Sequence, residues 1–171
     1  MQNHFELFGL FPSYGLDEQI LEKAYREIQA KVHPDRFAHA GDAERRASLQ
    51  WTTRVNEAYR TLRDPVQRGR HLLELHGVDV AFETNTQMPT DFLMQQLELR
   101  EELEAAAAKK DPSRLDRMRA GLSSSKKALE KEIAAAIDAR QDYSGAAKLV
   151  RKLMFLDRLD SEIDMAYEEI E

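Results

Sequence analysis

Cysteine is absent from all 171 residues. That gap removes disulfide frameworks, thiolate metal sites and cysteine nucleophiles together, and it suits a reducing compartment. Long apolar runs are missing as well, so no segment has the ~20 apolar residues that a bilayer-spanning helix needs. The opening stretch MQNHFELFGL lacks the basic-then-apolar profile of a signal peptide and the Arg/Ser richness of a transit peptide. A cytoplasmic protein with no membrane partner is expected. Strand signals are scarce too, with no alternating β-branched run and no Asn-Gly or Asp-Gly hairpin.

What remains is a charge-rich chain, 42% apolar and 33% charged, long enough for one ordinary domain or two small ones. The net charge of −6 is unevenly spread. Between Asp42 and Arg70 the chain is basic, through Arg45, Arg46, Arg54, Arg60, Arg63, Arg68 and Arg70. Between Asp157 and Glu171 it is acidic. No base-stacking aromatic pattern or nucleic-acid motif accompanies the basic run, so no nucleic-acid partner is expected. Solvated helix faces of opposite sign account for both runs.

The periodicity is helical throughout. Four helices are expected in the first half: a short one at HFELFGL, a second from Asp17 to Val32, a third from near Asp42 to Leu62, and a fourth from Pro65 to near Gly77. Asp17 and Asp64 have the character of N-caps, and Pro65 suits a first helical position. Trp51, in the third helix, is expected in core or junction packing. The period lapses over VDVAFETNTQMP, residues 78–89, which reads as a junction. The second half, 90–171, predicts an antiparallel three-helix bundle: Asp91 to Ala108, a second helix capped by Asp111 before Pro112, and a third from after RQDYSG to Ile170. GLSSSKK lies in the second of these, where Leu115, Met118, Leu122, Leu129, Ile133 and Ala136 keep the period across it. The fold class is therefore all-α, in two units divided after residue 77.

Chemistry-bearing residues are few. Pro34 has no N–H and pushes His33 out of the helical region, so His33-Pro34-Asp35 ends the second helix and sits in a loop. A catalytic role needs a held nucleophile, and no serine lies in a recognisable nucleophile turn. A metal role needs several ligands at suitable spacing, and His4, His39, His71 and His76 form no such set. A helix stop with an incidental aspartate remains open at this level.

The first bundle helix carries a second anomaly. With Leu93 at zero and 100° per residue, Phe92, Leu99, Leu103 and Ala106 fall between about 220° and 280°, a core stripe. Leu93, Leu97 and Met94 fall near 0°, 40° and 100°, bordered by Glu98 and Glu101. One helix in a small bundle seldom needs two apolar stripes. Either Leu93 and Leu97 pack on another helix or on the first unit, or the second stripe is an exposed patch for a protein partner. In the last helix LMFL repeats the pattern: Leu153 and Leu156 lie on the core stripe and Met154 and Phe155 off it.

Context narrows the loop. LEKAYREIQAKVHPDRF resembles the second helix and loop of a J-domain, the module that activates DnaK-type ATPase chaperones, and FELFGL and VNEAYRTLRDP resemble its first and third helices. Extending the comparison, LFGL, LRDPVQRGRHLLELHG, FLMQQLELREELE and VRKLMFLDRL resemble the HscB family, the J-type co-chaperones of iron–sulfur cluster assembly. The resemblance implies no catalytic residue and no cofactor or metal of the chain's own. It implies two partners: an HscA-type chaperone of the DnaK family, docking on His33, Pro34, Asp35, Lys23, Arg26, Lys31 and Arg36, and the cluster scaffold IscU, docking on Leu93, Met94, Leu97, Glu98, Glu101 and Phe155. The implied activity is stimulation of the chaperone's ATPase with the scaffold delivered to it, leading to cluster transfer. Departures from the family pattern are His4 in place of an aromatic, Glu27 after Arg26, and Ala105 in place of an acidic residue. The cysteine module of some eukaryotic members is absent, which implies a bacterial-type member. A generic J-domain co-chaperone with another client, an all-α enzyme using His33 and Asp35, and a purely structural adaptor are the alternatives.

Overall fold

A computed structural model describes residues 2–80 and 88–171, so most of the expected junction, 81–87, lies outside the described residues. Among the described residues, seven α-helices follow in order: α1 (His4–Leu7), α2 (Glu18–Val32), α3 (Asp42–Arg63), α4 (Pro65–Leu75), α5 (Thr90–Ala108), α6 (Pro112–Ala134) and α7 (Tyr143–Ile170). A 3-10 helix, Pro34–Phe37, follows α2, and a π-helical turn, Ala135–Ala139, closes α6. No strand occurs among the described residues. The chain forms two compact units, Met1–Leu72 and Leu73–Glu171. They divide inside α4, whereas the sequence placed the division after Gly77.

The helix starts follow their caps. Asp17 accepts the Gln19 N–H at 2.9 Å and Asp111 accepts the Arg114 N–H at 3.3 Å, each satisfying a first-turn donor. Asp64 does the same for Val66 at 2.9 Å, with Pro65 following it. Asp142, unrecognised from sequence, caps α7 by accepting the Gly145 N–H at 3.0 Å. A Cβ at Gly145 would press on the Asp142 carboxylate, so a larger residue there would make the capping side chain shift.

In the first unit α2 packs along α3, with α1 across α3. Phe5, Leu21, Val55, Ala58 and Leu62 are fully buried. Tyr25 stacks on Tyr59 with centroids 4.0 Å apart, and its hydroxyl donates to Asn56 Oδ1 at 2.7 Å. Two expectations are corrected here. Trp51 is not core: it is 42% exposed, with the Arg54 guanidinium 5.2 Å above its ring. Arg68 is not part of a solvated basic face: it is buried, donates to the Leu62 carbonyl at 2.7 Å and lies 4.8 Å over the Tyr14 ring. It thereby satisfies a carbonyl at the end of α3 that the α3–α4 corner leaves without a helical partner.

In the second unit α7 packs against both α5 and α6. Pairs Arg119–Asp164 and Lys126–Asp157 run in opposite chain order, so α6 and α7 are antiparallel. Phe92–Phe155 and Arg100–Glu162 run in the same order, so α5 and α7 are parallel, as an up-down-up bundle requires. The core comprises Met88, Phe92, Leu103, Ala106, Leu115, Met118, Leu122, Phe155, Leu156, Leu159 and Ile163, with Leu99 and Leu129 packed against it. The acidic end of α7 is more than a solvated face. Lys126 reaches Asp157 at 2.7 Å and Asp160 at 2.9 Å, and Arg119 bonds Asp160 and Asp164. Burial opposes charge on Lys126, but the two carboxylates outweigh it and hold the ammonium above the usual lysine range. Burial likewise opposes charge on Asp160, and Lys126 with Arg119 still draw its carboxyl below the usual range.

Candidate functional site

The His33-Pro34-Asp35 loop is displayed, not enclosed. α2 ends at Val32, and His33 adopts φ −56°, ψ 135°, the extended conformation that a following proline imposes. The 3-10 turn then begins at Pro34. The Asp35 N–H donates to His33 Nδ1 at 3.2 Å, which fixes that nitrogen as an acceptor. Asp35 Oδ2 also lies 3.6 Å from Nδ1. An ion pair there would need a proton on the nitrogen that already accepts the backbone N–H, so the contact is adjacency and not a salt bridge. The Asp35 side chain is 93% exposed, with no Lys or Arg paired to it among the described residues. Its carboxylate is open to a cation brought from outside.

The cations expected around it sort by element. Lys23, Arg26 and Lys31 are exposed along α2, and Arg36 in the 3-10 turn. Arg26 is held by Glu22 at 2.6 Å, one turn before it. Arg36 reaches back to the Ala30 carbonyl at 3.5 Å, a marginal hydrogen bond. The base of the loop has partners the sequence did not reveal: Ser48 Oγ donates to the Val32 carbonyl at 2.6 Å, and Thr52 Oγ1 to the same oxygen at 3.2 Å.

The second stripe of α5 stays uncovered. Leu93, Met94 and Leu97 are 40%, 58% and 61% exposed, and Glu98 and Glu101 are exposed beside them. Packing against neighbouring helices therefore does not account for Met94 or Leu97. Glu104 is exposed and falls near 20° on the same wheel, between Leu93 and Leu97. The helical period alone marks it, and it supplies acidity close to where Ala105 does not.

Phe155 departs from its expected place. It is not off the core stripe but 7% exposed, edge-on to Phe92 with centroids 5.8 Å apart. The Arg100 guanidinium sits 5.5 Å over its ring while bonding Glu162 at 2.8 Å, and Lys152 lies 5.5 Å over Phe92. α7 has two helical neighbours, so its buried arc is wider than one stripe, and Phe155 falls within it. Phe155 thus supports the α5 helix from the core side.

No cluster of three or more metal-ligating side chains occurs among the described residues. No described helix is long and apolar enough to cross a membrane.

Hairpin, loop and bundle together define the class, a J-domain protein with an added all-α C-terminal unit. Residues 3–71 match the DnaJ domain, and residues 88–164 match the domain described as the HSCB C-terminal oligomerisation domain. A co-chaperone HscB homologue of Burkholderia thailandensis is 49% identical over 169 residues, covering 99% of this chain and 96% of that one. The chaperone HscB structure from Vibrio cholerae matches with TM-score 0.86 at 34% identity, covering 99% of this chain and 100% of that one. The human co-chaperone HscB structure matches with TM-score 0.90 at 26% identity, covering 96% and 82%. The chain belongs to the HscB co-chaperone family.

Proposed function

We propose that this chain is the J-type co-chaperone that carries the iron–sulfur scaffold IscU to an HscA-type ATPase of the DnaK family. The observation that carries the reading is the pairing, in one chain, of an outward Asp35 carboxylate with an uncovered, acid-bordered apolar stripe on α5. Lys23, Arg26, Lys31 and Arg36 steer and orient an acidic chaperone surface, acting on association rate more than on affinity. Asp35 then pairs with a chaperone cation. It promotes hydrolysis only to the extent that this contact is stronger in the hydrolysis-competent state. The chain supplies no catalytic group.

Leu93, Met94 and Leu97 form the apolar centre of the scaffold site, and Glu98, Glu101 and Glu104 its polar rim. Phe155 contributes from beneath by fixing Phe92 and α5. Holding IscU on the same chain as the loop raises the scaffold's effective concentration at the chaperone, and hydrolysis then traps it there for cluster transfer. A cytoplasmic setting is part of this reading.

The test is steady-state ATP hydrolysis by the HscA-type chaperone with this chain or its Asp35→Asn form, each with and without IscU. The expected result is stimulation that is synergistic with IscU, lost in Asp35→Asn, with IscU binding by that variant unchanged. Stimulation indifferent to Asp35 would sink the reading.

A further inference from the structure

The Val32 carbonyl is an orphan by sequence. In a continuing helix it would accept the N–H of residue 36, but Pro34 turns the chain away and the Arg36 N–H goes to the His33 carbonyl at 3.0 Å. α3 provides the replacement. The Ser48 hydroxyl donates to that oxygen at 2.6 Å from a side chain only 3% exposed. Thr52 Oγ1 lies 3.2 Å from the same oxygen and 2.8 Å from the Ser48 carbonyl, so its single proton is shared between two acceptors. The other hydrogen bonds of the loop are local, from Asp35 to His33 and from Arg36 to His33 and Ala30. Among the described residues, Ser48 and Thr52 make the long-range hydrogen bonds at the loop's base.

We infer that Ser48, backed by Thr52, is a positioning residue for chaperone activation. It ties the last carbonyl of α2 to α3 and so fixes the direction in which His33, Pro34 and Asp35 leave the helix. The physical reason is that Val32 immediately precedes His33, while the Asp35 side chain has no anchoring hydrogen bond or Lys/Arg pair among the described residues. A carbonyl released from α3 lets the peptide between Val32 and His33 rotate. The Asp35 carboxylate then presents a spread of directions to the partner cation, at the cost of productive pairing. The α2 cations keep their places, so initial docking is spared. This inference rests on the chaperone reading of the loop.

The experiment titrates the HscA-type chaperone's ATPase with the full chain carrying Ser48→Ala, Thr52→Val, both, or the conservative Thr52→Ser. Asp35→Asn is run alone and combined with the double change. The double variant is expected to lower maximal stimulation roughly five-fold, with the half-saturating concentration changed less than two-fold. Thr52→Ser should retain wild-type stimulation, and the double change should add nothing to Asp35→Asn. Because a buried hydroxyl also contributes to stability, assays run well below each variant's thermal midpoint. Hydrogen exchange at the Asp35 and Arg36 amides gives a second readout, expected to quicken in Ser48→Ala with exchange in α5–α7 unchanged. Full stimulation by the double variant, or unchanged exchange at those amides, overturns the positioning role while Asp35→Asn still vouches for the chaperone reading. Indifference of the wild-type stimulation to Asp35→Asn overturns both.

Discussion

The two candidate sites are built by opposite means. In the first unit the site is a turn where the helix has stopped: its carboxylate projects into solvent, and its direction is set by hydroxyls bonded to one carbonyl at its base. In the second unit the site is the outside of an uninterrupted helix, and its geometry is set by apolar packing underneath, Phe92 against Phe155. A polar site on a turn depends on directional bonds, which are few and individually replaceable. An apolar site on a helix depends on the core, which is collective. Function and stability should therefore separate differently in the two units, and three changes test that.

The largest effect is expected at the support. Phe155→Ala should destabilise the protein by about 3–5 kcal/mol, because it removes a buried aromatic from the bundle core. Denaturant unfolding measures it. A loss below about 1 kcal/mol would mean that Phe155 acts mainly as a contact residue and that support and surface are not distinct. One layer further out the balance reverses. Leu97→Ala should leave unfolding free energy within about 0.5 kcal/mol, as expected of an exposed position. It should weaken IscU binding by about 2 kcal/mol, a ~30-fold rise in Kd by calorimetry. Unaltered affinity would place the scaffold site elsewhere.

The smallest effect distinguishes the units by acid. His71 stacks on His4 with centroids 4.3 Å apart and its Nε2 accepts the His4 N–H at 3.3 Å. Burial, then the neighbouring His4 charge, lowers its pKa to about 4. Between pH 6.5 and 4 the unfolded chain therefore binds the proton that the folded chain refuses. The stabilising contribution is complete above 6.5 and is lost as pH falls toward 4. Allowing for solvent screening of a half-buried ring, it amounts to about 1–2 kcal/mol. Asp160, drawn below the usual carboxylate range, keeps its contribution until the pH falls lower still. Trp51, the single tryptophan, reports the first unit by fluorescence. Stability followed at Trp51 should fall across this window, and His71→Phe should flatten the fall. A fall of unchanged size in His71→Phe would assign it to other groups.

Legibility followed the range of the interaction. Helix starts at Asp17, Asp64 and Asp111, and the stop at Pro34, depend on residues within a few positions of each other, and they stand where the sequence put them. The exposed stripe of α5 was legible for the same reason, since a helical period is local. Glu104 belongs to that stripe by the same arithmetic. The places of Phe155, Trp51 and Arg68 are not legible in this way, because each depends on how many neighbours its helix has. α7 buries a wide arc between two helices, the face of α3 bearing Trp51 is left open, and the α3–α4 corner leaves a carbonyl that only a nearby donor could satisfy.

By itself, then, the sequence determined the all-α class, the helix starts at Asp17, Asp64 and Asp111, the displayed His-Pro-Asp turn and the surplus apolar stripe, because caps, proline and periodicity act through the chain's own covalent neighbours. Only the tertiary structure decided which charges pair across α6 and α7, which aromatic lies under the stripe, and which hydroxyls of α3 take up the last carbonyl of α2. Those partners lie 16 to 63 residues apart along the chain, and no local rule carries information across that distance until the helices have packed.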